Sequence, residues 1–272
     1  MTETTRHLDF AARWVRDGLS ESTQAGAFEV VDVDVSNAAQ VLKRLTDQGW
    51  QVTWTHIFVR AAALALARNP DLHRVVAGNE TVHSAGVDIC VSIAGDSCVT
   101  PVVIVEDAAN KDIFAIGAEI RRRSPEAVKE TERLLSGLRR WGWILPLSVW
   151  RRGLLRFLLR RLWYRRKVSG TFQISCVPQV DVFAPLVFNT CAALGIGRVR
   201  EGVVAENGTP VVRPMVTLTC CLDHSIWNGL AAAKFLSAFR QILVSGDFAP
   251  QFIALPNSIR QTNVGQAASA GL

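Results

Sequence analysis

The chain has 272 residues, of which 49% are hydrophobic, and this is enough apolar material for one large core or two small ones. Its first 20 residues lack the apolar core of a secretory signal, and it contains no run of about 18 apolar residues, so we predict a cytoplasmic protein that does not span a membrane. The formal net charge is +6, but residues 121–167 contain 15 Lys and Arg beside three Asp and Glu. This segment alone carries +12 and the rest of the chain carries −6, so the positive charge is local.

Hydrophobic periodicity predicts alternating helices and strands in the first half of the chain. One of the helices is rich in alanine. The predicted elements are a helix at 8–19, a strand at 28–35, helices at 37–48 and 55–68, strands at 87–93 and 100–105, and a helix that begins at Lys111 and continues into the basic segment.

The second half predicts further strands and a final helix. A hairpin turn is predicted at Glu206-Asn207-Gly208, because Asn-Gly between apolar runs is a strong turn signal. The predicted strands are 171–176, 192–199 and 211–222, and the predicted helix is 230–243. We therefore predict an α/β fold with a mixed sheet flanked by helices, in a single domain at 1–257 with a basic amphipathic insert at about 121–167 and a disordered tail at 258–272.

One histidine lies where the last predicted strand gives way to the last helix. The strand brings His224 to the rim of the sheet, and Asn228-Gly229 predicts a turn before the helix. A histidine at such a junction is held by rigid elements and is open to a cavity. With a free pKa of about 6.5, an imidazole can take a proton from a thiol or an alcohol near neutral pH. The alternative is a structural histidine that is hydrogen-bonded within its own turn.

Three sequence blocks occur in order between about residues 6 and 255. They are an alanine-rich segment at 56–68 followed by Asn-Pro-Asp-Leu, the run Gly-Thr-Phe-Gln-Ile-Ser at 170–175 with a Pro-Leu-Val segment behind it, and Asp-His-x-x-x-Asn-Gly at 223–229. Together they resemble the catalytic domain of the acyltransferase component of 2-oxoacid dehydrogenase complexes, a relative of chloramphenicol acetyltransferase. The resemblance implies a fold of that kind, which forms trimers.

The resemblance also implies roles for individual residues. His224 would remove the proton from an acyl-accepting thiol, and Ser175 would donate a hydrogen bond to the oxyanion of the tetrahedral intermediate. The alternative for Ser175 is an ordinary strand serine. Asn228 stands where many family members have aspartate, and we interpret it as support for the turn of the active site. Cys176 is expected to point into the core, because side chains alternate along a strand.

The substrates implied by the resemblance are coenzyme A and a second acceptor, which could be a dihydrolipoyl thiol, a carrier-protein thiol, or a small amine or alcohol. No lipoyl or subunit-binding domain is recognised, so lipoate would have to arrive on another chain, and no metal site is expected. The family builds its site between subunits of a homotrimer, so His224 and Ser175 are expected to meet across an interface. The alternative is a non-catalytic trimeric scaffold with the same fold.

The resemblance lapses in the basic insert. On a helix, Arg152, Arg156 and Arg160 form a stripe, and a second set of side chains lies largely opposite to it: Leu154, Leu155, Leu158, Leu162 and Trp163. Three interpretations remain open. The insert could cover the domain or a neighbouring subunit, it could place residues 151–166 on the inner face of a membrane, or it could dock an acidic lipoyl domain or acyl carrier protein. Nucleic-acid binding is not expected, because the segment is too apolar.

Overall fold

The structure is a computed structural model that describes residues 9–22, 26–70, 73–77, 80–84, 86–95, 99–187, 190–224 and 227–250. Statements about the fold refer to these ranges. The helices are α1 (Phe10–Ser22), α2 (Ser36–Asp47), α3 (Trp54–Arg68), α4 (Ile113–Trp141), α5 (Ser148–Leu159), α6 (Leu162–Ser169) and α7 (Gly229–Ser245). The strands are β1 (Gly26–Asp34), β2 (Arg74–Ala77), β3 (Glu80–His83), β4 (Ile89–Ser92), β5 (Val102–Val105), β6 (Phe172–Cys176), β7 (Ala192–Ile196), β8 (Arg200–Glu206) and β9 (Thr209–Asp223).

Seven of these strands form one mixed sheet in the order β1-β9-β7-β6-β4-β5, and β8 pairs with the first part of β9. The strand β6 runs parallel to both β4 and β7, whereas β9 is antiparallel to β1, β7 and β8. A separate hairpin joins β2 to β3. The predicted α/β fold with a mixed sheet is therefore confirmed.

The main core lies between the sheet and the helices α2, α3 and α7. The alanines of α3 are buried and small, so this helix packs closely against α7. Aromatic rings fill the space between β6 and α7, where Phe172 lies 5.0 Å from Phe235 between ring centroids and Trp227 lies 5.8 Å from the same ring. This cluster fixes the first turns of α7 against the centre of the sheet.

The predicted elements agree with the observed bounds to within three residues. The sequence analysis did not identify β2, β3 or β8. The strand β8 contains Arg200, Glu201 and Gly202, which are poor strand signals, and it is stabilised by its pairing with β9. The tail at 258–272, predicted to be disordered, lies outside the described residues.

The basic insert is helical, but it differs from the continuous helix that was assumed for the arginine stripe. The helix α5 ends at Leu159 and α6 begins at Leu162, so the stripe and its opposite face do not continue into α6. Leu154 is exposed, because the side of α5 that packs on α1 carries Arg151 and Leu159 instead. Across the ranges given above, no helix has the length and apolar content needed to cross a membrane.

Candidate active site

The end of β9 positions His224, one residue of the candidate site. Its last nine residues are buried, although the residue that follows, His224, is exposed. Leu218, Cys220 and Leu222 face the main core, and the alternate residues Thr219 and Cys221 are buried on the other face. A strand that is buried on both faces has a strongly specified register. The position of His224 at the rim is therefore set by the sheet.

Hydrogen bonds anchor described residues on both sides of His224. The Asp223 N–H donates to the Cys191 carbonyl at 2.9 Å, and the Trp227 N–H donates to the Asp223 carbonyl at 2.9 Å. The buried Trp227 belongs to the aromatic cluster on α7. Asn228 caps α7, because its Oδ1 accepts from the Ala231 N–H at 2.9 Å. His224 therefore lies between two anchored residues, Asp223 and Trp227.

Ser175 lies on β6 in a row of residues that cross the sheet in register. Ser175 pairs with Gly195 of β7, and Gly195 pairs with Thr219 of β9. Directly paired residues share one face of a sheet, so Ser175, Gly195 and Thr219 lie on the face opposite to the main core. Ser175 is half-buried, and within the described ranges the Thr219 hydroxyl is buried with no hydrogen-bond partner.

The residue between these two hydroxyl groups has to be small. A Cβ atom on Gly195 would lie 2.5 Å from the Phe183 carbonyl oxygen and 2.6 Å from the Pro185 Cδ. The segment around Phe183 and Pro185 therefore passes directly over the row that holds Ser175. Sequence reasoning did not single out Thr219, and only the strand register could have shown that it shares a face with Ser175.

Cys176 is not placed for nucleophilic chemistry. It packs against the main core, on the other face of β6 from Ser175. Burial raises the pKa of its thiol to about 11, and a hydrogen bond with the Thr55 side chain only partly opposes this effect. The thiolate is therefore scarce at neutral pH. This arrangement agrees with the core position expected from alternation.

The two proposed catalytic side chains do not meet within one chain. Ser175 is level with Thr219, and His224 lies five residues farther along β9. At about 3.3 Å per residue, this is roughly 16 Å along the strands, with two strand spacings in addition. One carbonyl group cannot contact both side chains of the same chain. If both act on one substrate, a second copy has to supply one of them.

The sequence model of the family described as 2-oxoacid dehydrogenases acyltransferase (catalytic domain) matches residues 3–133 and 168–249. The chain belongs to this family. The match omits 134–167, so most of the basic insert has no counterpart in the sequence pattern of the acyltransferase family. The resemblance predicted from the three sequence blocks is confirmed.

Curated relatives of this acyltransferase domain are named as components of dehydrogenase complexes. The lipoamide acyltransferase component of the branched-chain alpha-keto acid dehydrogenase complex of Bacillus subtilis is 25% identical over 81% of the chain and 47% of the relative. The mitochondrial dihydrolipoyllysine-residue succinyltransferase component of the 2-oxoglutarate dehydrogenase complex of Saccharomyces cerevisiae is 27% identical over 82% of the chain and 43% of the relative. The chain thus spans less than half the length of these two relatives.

Solved structures share the fold. A probable dihydrolipoamide acetyltransferase from Listeria monocytogenes aligns with a TM-score of 0.66 at 20% identity, over 93% of this chain and 98% of the other. The dihydrolipoamide acetyltransferase of Azotobacter vinelandii aligns with a TM-score of 0.68 at 16% identity, over 89% and 91%. The latter was studied for the role of a serine, a histidine and an asparagine in its catalytic mechanism, and the asparagine is four residues after the histidine.

Proposed function

We propose that this chain transfers an acyl group between coenzyme A and a second acceptor, with His224 as the general base. The observation that carries the proposal is the exposed position of His224 between the hydrogen-bonded end of β9 and the cap of α7. A base has to be fixed and accessible to reach the proton of an incoming thiol. The thiolate would then attack the thioester carbonyl, and the bond to the leaving thiol breaks when the tetrahedral intermediate collapses.

Ser175 is proposed as the donor to the oxyanion of that intermediate. Its hydroxyl lies on a central strand and is only half-buried, so a substrate on that face of the sheet could reach it. The loss of one such donor typically costs about 2.7 to 4 kcal/mol of transition-state stabilisation. Gly195 supports this role indirectly, since the close passage of Phe183 over it shapes the surface beside Ser175.

Asn228 is proposed as the residue that holds the turn. Its side chain already serves as the cap of α7, which leaves it poorly placed to take part in proton transfer. The asparagine of the Azotobacter vinelandii relative has the same spacing of four from its histidine, and this supports grouping Asn228 with His224. An amide at this position can therefore serve where other members have a carboxylate.

A homotrimer is proposed as the active form, because Ser175 and His224 are too far apart to share a substrate within one chain. Two pairs of exposed apolar side chains are suited to subunit contacts. Phe28 and Val30 share one face of β1, and Val203 of β8 pairs directly with Val212 of β9. The solved relatives include the cubic core of a pyruvate dehydrogenase multienzyme complex, which supports an assembled state. The site would then use His224 of one subunit and Ser175 of its neighbour.

Coenzyme A is proposed as the acyl donor or acceptor, and a dihydrolipoyl thiol as the partner substrate. The curated relatives are named for lipoamide or dihydrolipoyllysine acyl transfer, which supports this choice. Lipoate would be presented in trans by a lipoyl domain on another chain. A carrier-protein thiol or a small amine or alcohol would be handled by the same base, since each acceptor loses one proton as it attacks.

The test is a thiol-release assay of the purified chain with a panel of acyl-coenzyme A donors. The acceptors would be dihydrolipoamide first, then small amines and alcohols. His224→Ala should reduce turnover by at least about 100-fold. Leu230→Ala is the matched control, because Leu230 is exposed on the first turn of α7 near the same turn. An unchanged rate in His224→Ala would refute the base assignment, and silence with every donor in an assembled trimer would favour a non-catalytic scaffold.

A further inference from the structure

The exposed apolar side chains of this protein are concentrated in one short stretch. Among the described residues, 19 large apolar side chains are exposed, and ten of them lie within residues 134–163. Four of the ten are tryptophans, which is half of the eight in the chain. The ten are Leu134, Trp141, Trp143, Ile144, Leu147, Val149, Trp150, Leu154, Phe157 and Trp163. Scattered exposed apolar residues are ordinary, but this density marks an interaction surface.

The same stretch has an unusual charge. Residues 133–167 contain 11 Lys and Arg and no Asp or Glu, and the rest of the chain carries a net charge of −5. Arg151 is neutralised by a buried partner, the carboxylate of Asp17, at 2.8 Å. The exposed apolar side chains and this positive charge together form what we call the tryptophan–arginine surface. Its binding partner should therefore be strongly anionic and should also accept apolar groups.

The orientation of α5 determines what this surface presents. The buried Arg151 donates to Asp17 of α1, and its guanidinium also donates to the carbonyls of Leu145 and Pro146 at 2.9 and 2.6 Å. The Ser148 hydroxyl donates to the same carboxylate at 2.8 Å. These bonds fix one side of α5 against α1. The opposite side of the helix therefore has to face away from the domain.

The outward side of α5 carries an apolar ridge. Trp150, Leu154 and Phe157 are spaced i, i+4, i+7 and form a ridge in which they are 56%, 41% and 55% exposed. Arg152 and Arg156 are also exposed but lie largely opposite to this ridge on the helix, and the exposed Arg160 lies at its side. The Arg161 guanidinium lies 4.6 Å from the Phe157 ring centroid, so a cation borders the ridge directly. An apolar ridge with a basic border is the pattern of a helix that lies in a membrane interface.

We propose that the tryptophan–arginine surface binds an anionic lipid bilayer, with α5 lying in the plane of the interface. Tryptophan is favoured at the level of the lipid headgroups, where its ring contacts chains and its N–H contacts polar groups. The apolar residues are spread over the end of α4, the turn after it, α5 and the start of α6. A fluid bilayer needs no matching shape, whereas a folded acidic domain would have to fit four elements at once.

The inference goes beyond the proposed acyl transfer and does not depend on it. The family's sequence model omits residues 134–167, so the chemistry that the family shares does not require this surface. Binding can be measured without any substrate. The variant His224→Ala should therefore bind vesicles as the native chain does.

The experiment is cosedimentation of the full chain with vesicles. One set contains phosphatidylcholine alone, and the other contains phosphatidylcholine with phosphatidylglycerol. The native chain should bind the anionic vesicles, bind the neutral ones much more weakly, and lose binding as salt is added. Absence of binding to the anionic vesicles, or equal binding to both sets, would overturn the proposal without recourse to any variant.

Three triple variants locate the binding. Arg152→Gln, Arg156→Gln and Arg160→Gln together should weaken binding roughly 100-fold. Substitution of Trp150, Leu154 and Phe157 by Ser should weaken it by at least about tenfold. The control replaces three exposed cations outside the surface by Gln, and should bind as the native chain does: Lys43, Lys129 and Arg240.

Unchanged melting temperatures are expected for all three variants, because every substituted side chain is exposed. Equal losses in the control would mean that general positive charge, and not this surface, causes binding. Docking of an acidic protein domain, the remaining alternative, is tested by titration with an acidic lipoyl domain. Saturable binding to that domain, lost in the arginine variant, with no binding to anionic vesicles, would overturn the proposal in favour of protein docking.

Discussion

Two inactive variants of this chain should restore activity when they assemble together. His224→Ala removes the base and Ser175→Ala removes the oxyanion donor, so each homotrimer should be strongly impaired. The register of β6, β7 and β9 separates the two residues of one chain by roughly 16 Å along the strands. Each working site should therefore combine the histidine of one subunit with the serine of the next.

The size of the recovery follows from this geometry. In a random one-to-one assembly of the two variants, about one quarter of the interfaces would join an intact His224 to an intact Ser175. Turnover should therefore return to about one quarter of the native rate per chain. Sites contained in single chains would give no recovery, since every chain lacks one of the two groups.

The assay needs mixed trimers of known composition. The two variants would be coexpressed at equal levels with the same affinity tag, purified as the whole random population, shown by native mass spectrometry to contain mixed trimers, and tested for thiol release from acyl-coenzyme A. A matched control coexpresses the native chain with the double variant His224→Ala, Ser175→Ala. It should retain about one quarter of the native rate if sites are shared and about one half if they are not. Mixed trimers without recovery would refute the shared site.

Three further predictions concern stability. Asn228→Ala should lower the free energy of unfolding by about 1 kcal/mol in urea titrations, since it removes the cap of α7. Asn228→Asp should keep most of that stability. An Ala variant as stable as the native chain would contradict the capping role. Burial first, then the charge of Arg121, lowers the pKa of His56 to about 4, so the neutral form is favoured in the folded chain. The free energy of unfolding should therefore fall by up to about 3 kcal/mol as the pH drops from about 6.5 to about 4. His56→Gln should reduce that loss, because glutamine can accept from the Thr53 N–H without titrating. Identical pH profiles of the native chain and this variant would refute the reasoning. Arg151→Ala should cost about 3 to 5 kcal/mol because Asp17 is left buried and unpaired. Arg151→Met with Asp17→Leu should cost less, because it leaves no buried charge and removes only the hydrogen bonds to the Leu145 and Pro146 carbonyls and from the Ser148 hydroxyl. Thermal unfolding of both variants decides this, and a mild Arg151→Ala would show that water reaches the carboxylate.

Much of the fold could be predicted because the local signals agree with the tertiary structure. The alanine-rich helix α3 has a regular apolar face, and the Asn207-Gly208 turn carries a positive φ at both residues, as this dipeptide predicts. The strand β8 was missed because its stability comes from a partner and not from its own residues. A polar strand of this kind is specified by pairing, which a single-sequence pattern does not record.

The candidate site could be predicted residue by residue but not in its geometry. The motif around His224 and the serine at the end of β6 were visible in the sequence, whereas their separation depends on strand register. In the basic insert, the sequence did not show which arginine is buried. Arg151 was counted as part of a basic stretch, yet it is buried against Asp17, because an ion pair between distant segments leaves no periodic signal.

The contrast between β9 and the insert determines where this chain can change length. β9 is paired on both edges and buried on both faces near His224, so the loss of a single residue there would turn the core-facing Leu218, Cys220 and Leu222 toward the other face. By contrast, the path from α4 to β6 holds 34 residues that the family's sequence model omits, and the sheet remains intact. Insertions and deletions should therefore accumulate between α4 and β6, whereas β9 should keep a constant length in any variant that folds.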